Sequence, residues 1–116
     1  MEASEVIRGL GALAQGHRLA VFRLLVEAGP DGLAAGALAE AVGLPPSSMS
    51  FHLAQLGHAG LVTQRRISRS IIYSADYQAM NALLAYLTEN CCAGSACGAS
   101  MASASTPANN QTRSAA

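Results

Sequence analysis

A mainly α-helical domain with one β-hairpin, an α+β fold, is the class that this sequence predicts, on three observations. Apolar residues recur at helical spacing in five stretches. Glycine and proline turns divide these stretches. Two short runs rich in β-branched residues flank a tight turn just before the last helical stretch. With 116 residues, 51% of them hydrophobic and 12% charged, the chain fits one small soluble domain.

The helical stretches follow one another along the chain with short turns between them. Their apolar stripes are Val6, Ile7, Leu10 and Leu13 in residues 3–14; Leu19, Phe22 and Val26 in residues 17–27; Met49, Leu53 and Leu56 in residues 46–58; and Met80, Leu83, Leu84 and Leu87 in residues 77–90. A short helix over residues 35–42 comes third, and Gly43 suits the left-handed position after its end. Pro46 suits the first position of the fourth helix, where its missing N–H costs nothing.

The strand patterns cover residues 61–66 and 70–74. Two short helices around a tight turn, followed by such a hairpin, form a winged helix-turn-helix, whose second helix enters the major groove of DNA. We therefore predict a DNA-binding and dimerisation domain in residues 1–90. Residues 98–116 are small and polar without a period, which predicts a disordered tail.

Polar and aromatic side chains lie on or beside the face of the fourth helix opposite its apolar stripe. They are Ser47, Ser48, Ser50, Phe51, His52 and Gln55. Glutamine can pair with adenine in bidentate fashion, and an apolar ring can contact the thymine methyl group. The alternative is an ordinary solvated helix face whose serines lie near the N-terminus because serine caps helices well. In a helix-turn-helix, DNA contact is the interpretation we adopt.

Positive charge is concentrated in one place. Formal net charge is zero, yet all seven basic residues are arginine, and Arg65, Arg66 and Arg69 lie within five positions on the hairpin. Arginines on a wing are suited to contacting phosphates or the minor groove. The alternative is ordinary charge on an edge strand, which prevents aggregation. Arg18 is open to both a phosphate contact and a helix-surface ion pair.

The chain lacks signs of export or membrane insertion. No apolar run approaches the length that spans a bilayer, and the N-terminus lacks the order of a secretory signal. We expect a cytoplasmic protein in which thiols stay reduced, so that clustered cysteines indicate metal or redox chemistry. No nucleophile–base pair, phosphate loop or paired carboxylates point to an enzyme.

Three segments, HRLAVFRLL, ALAEAVGLPPSSMSFHLAQLGHAGLV and RRISRSIIYS, together resemble the ArsR/SmtB metalloregulators over residues 5–90. The resemblance implies a homodimeric repressor that binds operator DNA when empty and leaves it when an inducing ion binds. It also implies that the first and last helices form the dimer interface. The chain departs from the family where residues 35–42 hold no cysteine, residues 77–90 no histidine and the wing turn no glycine.

All three cysteines lie in residues 91–97, as Cys91, Cys92 and Cys97. Structural zinc takes four ligands and this segment offers three, whereas three soft thiolates suit As(III) or Sb(III). Some arsenite sensors of the family have a vicinal pair and a third cysteine just beyond the last helix, which this segment resembles. Cd(II), Pb(II) or oxidants acting on the same cysteines, a thiol-based metal carrier, and cysteines without a role remain open.

Overall fold

The structure, a computed structural model, describes residues 1–94. Its elements are α1 (Ala3–Leu13), α2 (Gly16–Ala28), β1 (Leu33–Ala34), α3 (Ala35–Val42), α4 (Pro46–His58), β2 (Val62–Ile67), β3 (Ser70–Ala75), α5 (Tyr77–Leu87) and a 3₁₀ turn (Cys91–Gly94). Met1–Tyr86 forms one compact unit, and the described residues from Leu87 onward belong to a second. The predicted winged-helix order of helices and hairpin is confirmed. Cys97 and the predicted tail lie outside the described residues.

Local hydrogen bonds explain where the helices begin and end. Glu2 and Glu5 form a capping box at the start of α1, and the Gln15 side chain accepts from the Arg18 N–H at the start of α2. Gly43 ends α3 with a φ of 81°, in the left-handed conformation that the sequence predicts. Pro46 opens α4. These signals are all local, which is why the bounds of α3 and α4 match the sequence prediction.

The core of the first unit is a cluster of aliphatic side chains from α2, α3, α4 and the start of the hairpin. Its fully buried members are Val21, Leu25, Leu38, Met49, Leu53, Leu56 and Leu61. Each contributes about 1.5–3 kcal/mol through burial of its side chain. The predicted stripe of α4 is confirmed. In α2 the prediction was wrong for Leu19, which is exposed, because the buried face is centred on Val21 and Leu25.

A three-stranded antiparallel sheet forms the wing, in the order β1–β3–β2. In the β2–β3 hairpin Gln64 lies opposite Tyr73, and on the other side Leu33 of β1 pairs with Tyr73. The hairpin was predicted. Strand β1 was not, because two residues are too few to show an alternating pattern.

The last helix is shorter than its apolar pattern predicts. At its start, the Asp76 side chain accepts from the Ala79 N–H, and the Tyr77 hydroxyl donates to the Val26 carbonyl oxygen at 3.0 Å. The helix ends at Leu87 instead of continuing to residue 90. Asn90 has a φ of 57°, a left-handed conformation that asparagine tolerates and that is incompatible with a continuing helix. Within residues 1–94, no helix is both long and apolar enough to cross a membrane.

Gly32 lies where the turn after α2 passes beneath β3. Its φ is +72°, and a Cβ there would collide with the carbonyl oxygen of Tyr73 and lie 2.6 Å from the Ser74 Oγ. Backbone conformation and space both require glycine at this position. The turn after α2 and strand β3 therefore lie too close together for any side chain at this position.

We expect Gly32→Ala to lower the free energy of unfolding by about 2 kcal/mol or more, since a backbone oxygen cannot move aside as a flexible side chain can. Gly36→Ala is the matched control: it lies in α3 with nothing within 4 Å of the new Cβ. There the substitution should stabilise by about 0.5–1 kcal/mol. Urea unfolding at one fixed protein concentration measures both. Equal effects at the two positions would contradict the close approach.

Candidate nucleic-acid interface

The orientation of α4 is set by its buried side. Met49, Leu53 and Leu56 are each at most 1% exposed, so this stripe is wholly within the core. A rotation of the helix about its axis would expose these side chains, at a cost of several kcal/mol. The outward face of α4 is therefore fixed relative to the rest of the domain.

The structure places the predicted recognition residues around that outward face. Ser47, Ser50 and Phe51 are exposed, with 57% of Phe51 accessible, and Ser48, His52 and Gln55 are half-buried. An exposed phenylalanine with serine and glutamine nearby offers both apolar and hydrogen-bonding contacts to base edges. No acidic residue occurs in α4. DNA contact by these six side chains stays a prediction.

Arg18, from the start of α2, joins the recognition face. Its Nε donates to Nδ1 of His52 at 3.1 Å, and its guanidinium carbon lies 5.5 Å from the centre of the Phe51 ring. The His17 ring lies 5.7 Å from that of His52. From the sequence, Arg18 could make either a phosphate contact or an ion pair. The sequence did not indicate its hydrogen bond to His52, which lies 34 positions further along the chain.

The electrostatic setting keeps His52 neutral. Burial lowers the pKa of His52 below the 6.5 usual for histidine, and the charges of Arg18 and His17 lower it further. A neutral imidazole has one donor and one acceptor nitrogen. At neutral pH His52 is thus a polar side chain without charge.

The three predicted arginines of the wing fall into two groups. Arg66 and Arg69 are exposed, and within residues 1–94 neither makes a side-chain hydrogen bond or ion pair. Arg69 follows Ser68 in the hairpin turn, where Ser68 has a φ of 58° in place of the glycine usual there. Both side chains are available for phosphates.

Arg65 instead bonds within the domain. Its guanidinium donates to the carbonyl oxygens of Asp31 at 2.9 Å and Pro30 at 3.2 Å, and to Ser74 Oγ at 3.4 Å. Ser74 Oγ itself donates to the Pro30 carbonyl oxygen at 3.1 Å. These bonds connect the wing to the turn after α2. Phosphate contact by Arg65 remains untested, and the geometry favours a structural role.

The cysteine segment belongs to the second unit and is described by itself. Cys91 and Cys92 follow the end of the last helix in a short turn in which Cys92 has a left-handed φ of 56°, and do not lie at the helix end where the sequence predicted them. Their Sγ atoms are 3.4 Å apart. Two sulfurs on one ion with bonds of about 2.3 Å lie within about 4.6 Å of each other. Within residues 1–94 no cluster of three metal-binding side chains occurs.

Comparison with known proteins agrees with this geometry. Residues 13–65 match a family described as "Helix-turn-helix domain". Nodulation protein NolR of Rhizobium meliloti is 37% identical over 89 residues, which cover 76% of this chain and 70% of NolR. A homodimeric winged helix-turn-helix domain from Mycobacterium bovis, a possible ArsR-family transcriptional regulator, superposes with a TM-score of 0.60 at 30% identity. That match covers 75% of this chain and 81% of the other.

This chain belongs to the ArsR-like family of winged-helix transcriptional regulators. A further relative of known structure, a possible transcriptional regulator for arsenical resistance, has a TM-score of 0.62 at 26% identity, over 84% of this chain and 97% of that one. Like these regulators, the chain has a winged-helix DNA-binding domain.

The two groups of wing arginines should differ in their effects. Arg66→Ala and Arg69→Ala should weaken binding to specific and random DNA alike, and each should reduce the slope of log affinity against log salt by about 0.9 for every phosphate that the arginine neutralises. Arg65→Ala should lower the free energy of unfolding by about 1 kcal/mol because it removes hydrogen bonds within the domain. Urea unfolding and DNA titrations at several salt concentrations separate the two. Normal stability of Arg65→Ala with a reduced salt slope would assign Arg65 to DNA.

Proposed function

We propose that this ArsR-like regulator is a homodimeric repressor that binds operator DNA through α4 and its wing, and leaves it when As(III) or Sb(III) binds Cys91, Cys92 and Cys97. One observation carries the DNA-binding part. The burial of Met49 and Leu53 fixes the other face of α4 outward, where it is free of acidic residues. Such a face is suited to entering the major groove, with the wing arginines on the flanking phosphates.

The dimer is supported by apolar side chains that a single chain leaves exposed. Ile7 and Leu10 on α1 are 69% and 41% accessible, and Leu84 on α5 is 51% accessible. Gly9 supports the pairing of these helices, because a Cβ there would lie 3.1 Å from the Leu83 side chain. Two copies meeting through these helices would bury this surface, and a symmetric dimer would present two recognition helices to a palindromic site.

The proposed inducer rests on the chemistry of the cysteine segment. The Sγ atoms of Cys91 and Cys92 are close enough to contact one ion, and Cys97 would supply the third thiolate. Soft thiolates favour As(III) or Sb(III) over magnesium, calcium or manganese. Binding requires reduced cysteines, since a disulfide has no thiolate to offer. The relative associated with arsenical resistance supports the same ion class.

Oxidant sensing is the second candidate, because two thiols of this short cysteine segment can form one disulfide. Peroxide would oxidise two thiols to one disulfide, with the thiol protons and the peroxide oxygens leaving as two waters. Cd(II) and Pb(II) are alternative soft ions for the same thiolates. In either case the protein acts by binding and release, without catalysis, and the DNA-binding face distinguishes it from a thiol-based metal carrier.

Leu84→Glu should weaken the dimer at least about a hundredfold, because each copy would place a carboxylate in the apolar interface. Ile67→Glu is the control: Ile67 is equally exposed, at 50%, but lies on the wing. Sedimentation velocity over a range of protein concentrations measures both. Loss of the dimer with Ile67→Glu, and not with Leu84→Glu, would place the interface on the wing.

Reduced wild-type protein should lose about 5- to 150-fold in operator affinity when arsenite is added, as expected for a coupling of about 1–3 kcal/mol. Cys91→Ser and Cys92→Ser should bind DNA normally and respond weakly, because a serine hydroxyl is a poor soft ligand. Ala93→Ser adds a hydroxyl to the same segment and should leave the response intact. Cadmium, lead and peroxide are tested in parallel. Normal release of a Cys91→Ser, Cys92→Ser double variant by arsenite would contradict the proposed site.

A further inference from the structure

The hydrogen bond between Arg18 and His52 constrains where the His52 ring is protonated. It joins the start of α2 to the middle of α4, with 3.1 Å between Arg18 Nε and His52 Nδ1. A guanidinium has five N–H donors and no acceptor. The direction of this hydrogen bond is therefore unambiguous: arginine donates, and Nδ1 of His52 must present its lone pair.

The remaining proton of the ring is then located. A neutral imidazole has one N–H, and because Nδ1 is the acceptor, the hydrogen is on Nε2. The ring is held neutral by its half-buried position and by two neighbours on α2, Arg18 and His17, which lower its pKa. Among residues 1–94, no side chain or backbone group hydrogen-bonds to Nε2. The ring thus retains one free polar atom, and that atom is a donor.

We propose that Arg18 is a positioning residue that makes His52 a donor-only base contact, selecting base edges with an acceptor in the major groove. This inference rests on the proposed binding of DNA by α4. A purine N7, the O6 of guanine or the O4 of thymine would accept from Nε2–H, whereas the exocyclic amino group of cytosine, itself a donor, would be rejected. Without Arg18, the ring could exchange its donor and acceptor nitrogens, and this selection would be lost.

The other side chains around the ring fit this role. Phe51 meets the His52 ring edge-on, with 5.8 Å between the ring centres, and Arg18 lies against Phe51. The imidazole is therefore restricted on one side by an aromatic ring and on another by a charged hydrogen bond. A side chain held in this way loses little further conformational freedom on binding, which favours selectivity between similar bases.

The first test is the tautomer itself, measured without DNA. Long-range ¹H–¹⁵N NMR spectra of the reduced full chain at pH 7.5 should show His52 protonated at Nε2 alone. In Arg18→Met, which keeps a long side chain and removes the donor, signals of both neutral tautomers should appear. Arg23→Met is the matched control on the same helix, because Arg23 pairs with Glu27 on the surface. A cationic His52, or one protonated at Nδ1, would overturn the inference.

The second test measures base preference with a library of duplexes randomised over about 30 base pairs, enough for two half-sites one helical turn apart. Wild type should exclude cytosine at one position of each half-site by about tenfold. Arg18→Met should reduce that exclusion to about twofold, and His52→Gln, whose amide both donates and accepts, should do the same. His52→Asn can still accept from Arg18 but is too short to reach the base, so it should lose affinity and preference together.

The outcomes separate this inference from the function on which it rests. If Arg18→Met weakens binding to all sequences equally and keeps the base preference, Arg18 serves only as a phosphate contact and the inference is wrong. If the wild-type chain selects no sequence from the library, the proposed function fails together with the base contact, even where NMR finds the expected tautomer. Arg23→Met should leave both the tautomer and the preference unchanged, and a change there would overturn the specific role of Arg18.

Discussion

The complete burial of one side of α4 is the constraint on which the interface depends. Removing a buried leucine or methionine side chain typically costs about 2–5 kcal/mol, a large part of the roughly 5–15 kcal/mol that stabilises a domain of this size. Met49, Leu53 and Leu56 are therefore anchored, and the helix cannot rotate to present another face. The same anchoring brings His52 within reach of Arg18 at the start of α2. A single buried stripe thus determines both which side chains face outward and which internal partner orients one of them.

The wing is joined to the core by the buried side chains of Val62 and Ala75, and polar bonds and close backbone contact fix it further. Gly32 allows the turn after α2 to lie directly against Tyr73, and the Arg65 guanidinium closes the same junction by donating to that turn. This arrangement separates the arginines by their contacts: Arg65 is hydrogen-bonded to the turn after α2, whereas Arg66 and Arg69 make no side-chain hydrogen bond or ion pair within residues 1–94. The sequence could not distinguish Arg65 from Arg66 and Arg69, because the three side chains are chemically identical and only their contacts differ.

Features set by local sequence could be predicted, and features set by distant contacts could not. The bounds of α3 and α4 follow from Gly43 and Pro46, and the α4 stripe follows from helical spacing. The buried face of α2 was misassigned at Leu19 because leucines surround that helix and spacing alone does not choose among them. Strand β1 pairs only two residues, and the Arg18–His52 bond joins positions 34 apart, so neither leaves a periodic signal. The cysteines were expected at a helix end, but Asn90 in a left-handed conformation places them in a separate turn.

A chain with no formal net charge can still bind DNA if its few charges are well placed. Of seven arginines, Arg18, Arg66 and Arg69 lie at the recognition face or on the free surface of the wing, and none of the seven acidic residues lies in α4. Two free wing arginines per chain would give a dimer about four phosphate contacts, hence a salt slope of about −3.6. That is a modest electrostatic contribution. In the proposed dimer, specific affinity would then depend on base contacts from α4 and on joining two recognition helices, because the binding free energies of the two half-sites add. An inducer that disturbs the dimer geometry would remove that second contribution without touching any residue at the DNA.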